Sequence, residues 1–263
     1  MNITLPDGSK QELAKGSTGL ELAQKIGPGL AKSAVAINID GVQKDLEDRI
    51  EQDCSVSIIT IDSDEGLEIM RHTVAAQVLA AAIKNLFPDS KLAIGPTIDN
   101  GFYYDVLSDK TISSEDLSAI EGEMQSLIES KSLINKSMHS KKEAVNLFKN
   151  KKEDYKITII NESEQDKDFQ IYTNNDTQFI DLCIGPHLPN LGFVGPFKLT
   201  KVAGAYWKGD SSNEMLTRIY GTAWRTKKEL GDYLTQIEEA EKRDHRKIGK
   251  DLDLFSIQED AGG

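Results

Sequence analysis

Apolar positions along the chain change period several times, and each change marks an element. Ile3-Thr4-Leu5 alternates as a strand does, Pro6-Asp7-Gly8-Ser9 supplies a turn, and Gln11 to Leu13 predicts the returning strand. Ser17-Thr18 precede Leu20, Leu22, Ala23 and Ile26 at helical spacing, and Gly27-Pro28-Gly29 ends that helix. Residues 34–39 form an apolar strand that turns at Asp40-Gly41, and 56–61 form a β-rich closing strand. Strands around one helix within residues 1–62 predict a compact α+β unit.

Ser63-Asp64-Glu65-Gly66 is a polar break that suits a domain boundary. Leu67, Ile69, Met70, Val74, Val78, Leu79, Ala82, Ile83 and Leu86 then keep helical spacing as far as Pro88. Residues 91–94 predict a short strand, Asn100-Gly101 a turn and 102–106 an aromatic strand. A helix over 114–130 opens on Glu115 and Asp116 at its positive end. Residues 144–148 are a further helical patch, whereas 155–160, 169–173 and 177–182 predict strands. Leu230, Tyr233, Leu234, Ile237 and Ala240 stripe a helix over 227–250.

At 263 residues, 38% hydrophobic and 28% charged, the chain has room for two domains with separate cores. No apolar run approaches the roughly 20 residues that span a bilayer, and Met1-Asn2-Ile3-Thr4 is no signal peptide. Two cysteines, Cys54 and Cys183, are too few for a disulfide framework, so a reducing cytoplasm is expected. The net charge of −12 argues against indiscriminate nucleic-acid binding but allows a local basic face. Lys149, Lys151 and Lys152 form one cluster, and Lys242, Arg243, Arg246, Lys247 and Lys250 a denser one. Such runs are more often solvated helix faces than binding sites.

Candidate chemistry concentrates in Asp181-Leu182-Cys183-Ile184-Gly185-Pro186-His187. Gly and Pro between the thiol and the imidazole exclude a helical pair. A tight turn there would aim both groups into one space beside Asp181, where they could hold a metal, activate a nucleophile or place a water on a carbonyl. The plainer reading is a buried cysteine and a turn histidine.

Residues 1–62 resemble a TGS domain, a ubiquitin-like β-grasp module, in Leu5-Pro6-Asp7-Gly8-Ser9, Ala34-Val35-Ala36-Ile37-Asn38-Ile39-Asp40-Gly41 and Ile58-Ile59-Thr60. The remainder resembles the editing domain of a bacterial-type threonyl-tRNA synthetase. That likeness rests on Ala93-Ile94-Gly95-Pro96, Asp99-Asn100-Gly101-Phe102-Tyr103-Tyr104-Asp105, Tyr155-Lys156 and the Cys183/His187 loop. It continues in Ala203-Gly204-Ala205-Tyr206-Trp207-Lys208-Gly209-Asp210, Arg218-Ile219-Tyr220-Gly221-Thr222-Ala223-Trp224 and Arg243-Asp244-His245-Arg246-Lys247. The resemblance implies a TGS module over 1–62, an α+β editing domain on an antiparallel sheet over 63–224, and a linker helix over 225–263. It further implies the N-terminal portion of a longer synthetase, with a free-standing editing factor as the alternative. ATP, Mg and Zn are expected only in the catalytic domain of the longer protein, and no cofactor or metal in this portion. The implied partner is threonine tRNA at its 3′ end and acceptor stem. No membrane partner is expected, and the full-length parent is expected to be a homodimer through its catalytic domain.

Threonine and serine differ by one methyl group, worth about 1–3 kcal/mol of discrimination, so accurate charging gains from a second site that hydrolyses mischarged serine. On this resemblance Cys183 and His187 bind the serine amine and hydroxyl or position the water, in preference to covalent thiol catalysis. Asp181 binds the α-ammonium or orients His187, with a turn acceptor as its plainer role. Lys156, read as lying on a strand, stabilises the oxyanion or anchors the terminal nucleotide. Tyr104 lines the pocket or the core. Arg243, Arg246 and Lys247 contact tRNA. The family places a His-x-x-x-His pair on the first helix of this domain, and this chain departs from it. One register keeps His72 and puts Ala76 in the second place; the other puts Thr73 and Gln77 there. Either way the second histidine is missing. A four-ligand zinc site is not expected, and editing runs on the Cys183/His187 side or is weakened or lost, leaving a tRNA-binding appendage.

Overall fold

The computed structural model describes residues 1–243. β1 (Asn2–Thr4) and β2 (Lys10–Glu12) form the expected hairpin. α1 (Gly19–Ile26) starts at a capping box: the Thr18 hydroxyl accepts from the Glu21 amide, and the Glu21 carboxylate accepts from the Thr18 amide. Pro28 ends α1, yet it also opens a short second helix, α2 (Pro28–Ser33), because proline's missing N–H is not needed in a first turn. β3 (Ala34–Ile39), β4 (Val42–Asp45) and β5 (Cys54–Thr60) complete a five-stranded sheet of order β2-β1-β5-β3-β4. Its central β1–β5 pair is parallel, as in a β-grasp fold. Ile3, Leu22, Ala23, Ile37, Leu46 and Val56 fill the core of this unit.

The polar break at Ser63 turns out to be a helix start. Its hydroxyl accepts from the Gly66 amide and caps α3 (Asp64–Thr73). α3 passes into a π-helical turn, Val74–Leu79, and then into α4 (Ala80–Leu86). Next come β6 (Lys91–Leu92), β7 (Thr97–Ile98) and β8 (Gly101–Leu107). A 3₁₀ turn, Ser114–Asp116, leads into α5 (Leu117–Glu129), so the predicted helix begins one tight turn late. The chain continues through β9 (Ile134–His139), α6 (Lys141–Asn150), α7 (Asp154–Glu162), β10 (Phe169–Asn174) and β11 (Phe179–Leu182). It ends in the long hairpin of β12 (Phe197–Tyr206) and β13 (Met215–Ala223), followed by α8 (Lys227–Lys242).

Two further sheets result. One has the order β12-β13-β8-β6, with β7 also on β8; the other is β11-β10-β9, and every pairing in both is antiparallel. Met70, Val74, Val78 and Ile83 of the long helix bury with Phe102, Tyr104 and Val106 of β8 and with Ile120 and Met124 of α5. Val35, Ala36 and Ile59 of the N-terminal sheet belong to that same cluster. The two units therefore share apolar core, and the sequence pattern of a self-contained first domain did not reveal it.

Residues 155–160 are helical rather than extended. Their β-branched content favours a strand, but tertiary contacts outweigh it. The buried Glu153 carboxylate accepts from the Leu92 amide and pairs with Lys84 at 2.8 Å, which pins the start of α7. Ile160 then buries with Phe148 and Phe169. β9, β12 and β13 carry too many polar and glycine positions to stand out as strands before their partners are known.

Candidate active site

Asp181 ends β11, and the chain then turns sharply. Gly185 adopts φ +72°, and a Cβ there would lie 1.9 Å from the Tyr172 hydroxyl, so only glycine fits. This turn brings Cys183 to α3, where its Sγ lies 2.8 Å from His72 Nε2. The rings of His72 and His187 stack with centroids 4.7 Å apart and 3° between planes. Tyr172 meets the other side of His187 edge-on at 4.4 Å. His72, Cys183 and His187 each present a donor atom within 4.8 Å of the others, a set that could serve as three ligands for a metal.

The helix register is decided by this packing. His72 and Ala76 line an open cleft of about 840 Å³, together with Lys156, Asp181, Cys183 and Gly185. Ala76 therefore stands where a second histidine would face the Cys183 loop. Thr73 and Gln77 sit on another side of the helix. Gln77 is fully buried and neither of its amide atoms has a hydrogen-bond partner among the described residues. Neither residue lines the cleft. The π-helical turn after Thr73 is a local change of pitch that recurs at functional sites.

Thr73 instead holds the His187 turn. Its hydroxyl donates to the Ile69 carbonyl at 2.8 Å and accepts from the Leu188 amide at 3.0 Å. With its one proton engaged, it accepts from His187 Nδ1 at 3.2 Å. That contact sets the tautomer: Nδ1 carries the proton, and the buried Nε2, which has no partner among the described residues, keeps a free lone pair. Asp181 does not orient His187 as one expectation had it.

Asp181 belongs to a second group. Lys156 of α7 pairs with its Oδ1 at 2.5 Å and donates to the Tyr104 hydroxyl at 3.1 Å, and Tyr104 donates to Asp181 Oδ2 at 3.0 Å. The Leu182 amide also donates to Asp181. Lys156 is 3% exposed, Asp181 2% and Tyr104 0%. Tyr104 is thus a core residue and not a cleft wall. With its acceptors this fully engaged, Asp181 is better suited to fixing Lys156 than to receiving an α-ammonium. Two of the three Lys156 protons are used, which leaves one for the cleft.

Burial dominates the protonation states. It drops the His72 imidazole from the ordinary 6.5 to about 4, with nearby Asp45 pulling the other way. Burial, then His72, pushes His187 well below its ordinary range. Burial, reinforced by Asp181, pushes the Cys183 thiol up to about 12. Near neutral pH the site therefore holds two neutral imidazoles and an un-ionised thiol. A covalent thiolate mechanism is disfavoured by that state, whereas acceptance of a proton from water is allowed.

Arg243 is exposed and pairs with Glu239 at 2.6 Å. Arg246 and Lys247 lie outside the described residues, as does the part of the expected linker helix beyond residue 243. Sequence reasoning missed Asp45, Thr73 as a positioning group, and Tyr172. Their roles come from contacts between distant segments, for which no local motif exists.

A β-grasp unit thus shares a core with an antiparallel domain that carries a Cys/His cleft. Residues 1–60 match the TGS domain, and residues 170–220 match the "Threonyl and Alanyl tRNA synthetase second additional domain". Over 262 residues the chain is 51% identical to a threonine–tRNA ligase of Acidithiobacillus ferrooxidans, covering 100% of this chain and 40% of that protein. It is 50% identical over 263 residues to threonine–tRNA ligases of Francisella philomiragia and of Rickettsia typhi, covering 100% of this chain and 41% of each. The chain carries the TGS and editing domains found in the N-terminal region of threonyl-tRNA synthetases, and it spans about 40% of the length of the curated relatives it matches.

Proposed function

We propose that this chain hydrolyses serine wrongly esterified to the 3′ end of threonine tRNA. The observation that carries the reading is a neutral His72 against an un-ionised Cys183 in an open cleft beside Lys156, with the His187 ring stacked behind His72. Water attacks the ester carbonyl and its proton passes to the stacked imidazole pair, entering at His72, which lines the cleft. A new C–O bond forms, and the remaining Lys156 N–H stabilises the oxyanion. The ester C–O bond then breaks, the proton moves to the departing 3′ oxygen, and free serine and uncharged tRNA leave. Cys183 remains a thiol throughout and holds His72 or the serine hydroxyl.

A second reading is a tRNA-binding appendage with a decayed site, and Ala76 in the cleft wall is the observation that favours it. Deacylation of serine-charged threonine tRNA separates the two. Turnover that falls in Cys183→Ala and His187→Asn supports hydrolysis, whereas tRNA binding without turnover overturns it. Within a longer protein this activity would accompany an ATP-dependent threonine–tRNA ligase, with ATP, Mg and Zn held by a catalytic domain. We propose a cytoplasmic setting, contacts to the acceptor stem, and a homodimeric parent.

A further inference from the structure

The N-terminal module reaches the hydrolytic site through one carboxylate. Asp45, at the end of β4, sends Oδ1 to the backbone amide of His187 at 2.9 Å, across 142 residues of sequence. Its Oδ2 accepts from the Tyr172 hydroxyl at 2.7 Å and pairs with Lys136 at 2.8 Å. That same Tyr172 hydroxyl occupies the space a Gly185 side chain would need, and its ring packs on His187. Asp45 therefore grips the Gly185-Pro186-His187 turn twice, directly at the His187 backbone and indirectly through Tyr172. Its side chain is 14% exposed, so these contacts are shielded from water. Two strand positions earlier, Gln43 lines the cleft itself.

We infer that Asp45 is a positioning residue for His187, which makes the β-grasp module a structural part of the editing pocket. The inference rests on the hydrolytic reading for its effect on rate, but not for its effect on the His187 turn. Thr73 fixes the imidazole at Nδ1, and Asp45 fixes the backbone to which that imidazole is attached. Without the carboxylate the turn keeps its Thr73 anchors at Nδ1 and at the Leu188 amide and loses the one at the His187 amide. A displacement of about 1 Å at a reacting group is enough to cost up to about a hundredfold in rate.

The test compares Asp45→Ala and Asp45→Asn in the chain as it stands. Lys136 keeps Asp48 as a partner in both, so neither variant strands a buried cation. Single-turnover deacylation of serine-charged threonine tRNA should slow roughly ten- to hundredfold in Asp45→Ala with KM little changed. Asp45→Asn should recover part of the rate, because the amide oxygen can still accept from the His187 amide. Independently of turnover, the His187 amide proton, assigned by its loss in His187→Asn, should move upfield in Asp45→Ala. A rate within twofold of the parent, a rise in KM with kcat intact, or an unmoved His187 amide resonance would each overturn the inference. If the parent chain shows no turnover, the hydrolytic reading fails and the resonance alone still decides whether Asp45 positions His187. If Asp45→Ala does not fold, Asp45→Asn decides: unchanged rate and unchanged resonance overturn the proposal.

Discussion

Acidification should destabilise this protein in part through His72. In the unfolded chain the imidazole titrates near 6.5, whereas burial holds it at about 4 in the folded state. Between those values only the unfolded chain binds the proton. The stability that His72 contributes is therefore fully present above about pH 6.5, falls as the pH drops, and is lost by about pH 4. The difference corresponds to about 3 kcal/mol, a large share of the roughly 5–15 kcal/mol that holds a domain folded. His187, also depressed by burial, acts with the same sign. Asp181 acts oppositely, because burial raises its carboxyl pKa and the folded state then gains stability as that group protonates. A variant separates these contributions. His72→Asn removes the titrating ring and leaves the other groups in place, and Cys183, at about 12, does not titrate in this range. Urea unfolding of both proteins from about pH 7 to about pH 4 should show the parent losing about 3 kcal/mol more than His72→Asn. Parallel pH–stability curves would refute the assignment of a neutral, buried His72.

Lys156→Met should leave Asp181 as an uncompensated buried charge and cost about 3–5 kcal/mol, while the Lys156→Met/Asp181→Asn double variant should regain most of that loss in urea unfolding. Water chemistry on imidazoles alone predicts no stoichiometric zinc by elemental analysis and a deacylation rate unchanged by chelation. A rate lost to a chelator and restored by zinc would replace it with metal-bound water on His72, Cys183 and His187. Neutralising Arg243, Arg246 and Lys247 together should weaken tRNA binding and reduce the steepness of its salt dependence; an unchanged slope would remove these residues from the tRNA contact.

Several parts of this molecule were legible in one dimension because they depend on neighbours in sequence. The Gly185-Pro186 dipeptide forbids a helix between Cys183 and His187 and so presents both to one space. The spacing of Leu67 to Leu86 declares a buried helix, and the run of β-rich and capped segments before Ser63 declares a small α+β unit. Other features stayed hidden because they depend on partners far away. The segment 155–160 reads as a strand by local preference, yet Glu153, anchored to Lys84 and Leu92, commits it to a helix.

The amino-acid sequence by itself determined which residues could carry the chemistry and the order in which the two units follow one another. Local conformational rules and side-chain chemistry are enough for that. Only the tertiary structure decided which face of the long helix meets the cleft, setting His72 and Ala76 there and turning Thr73 to His187 and Gln77 into the interior. It alone joined Asp45 to a histidine 142 residues away. Such choices are made by burial and hydrogen-bond satisfaction summed over the whole core, a quantity that no local window of sequence contains.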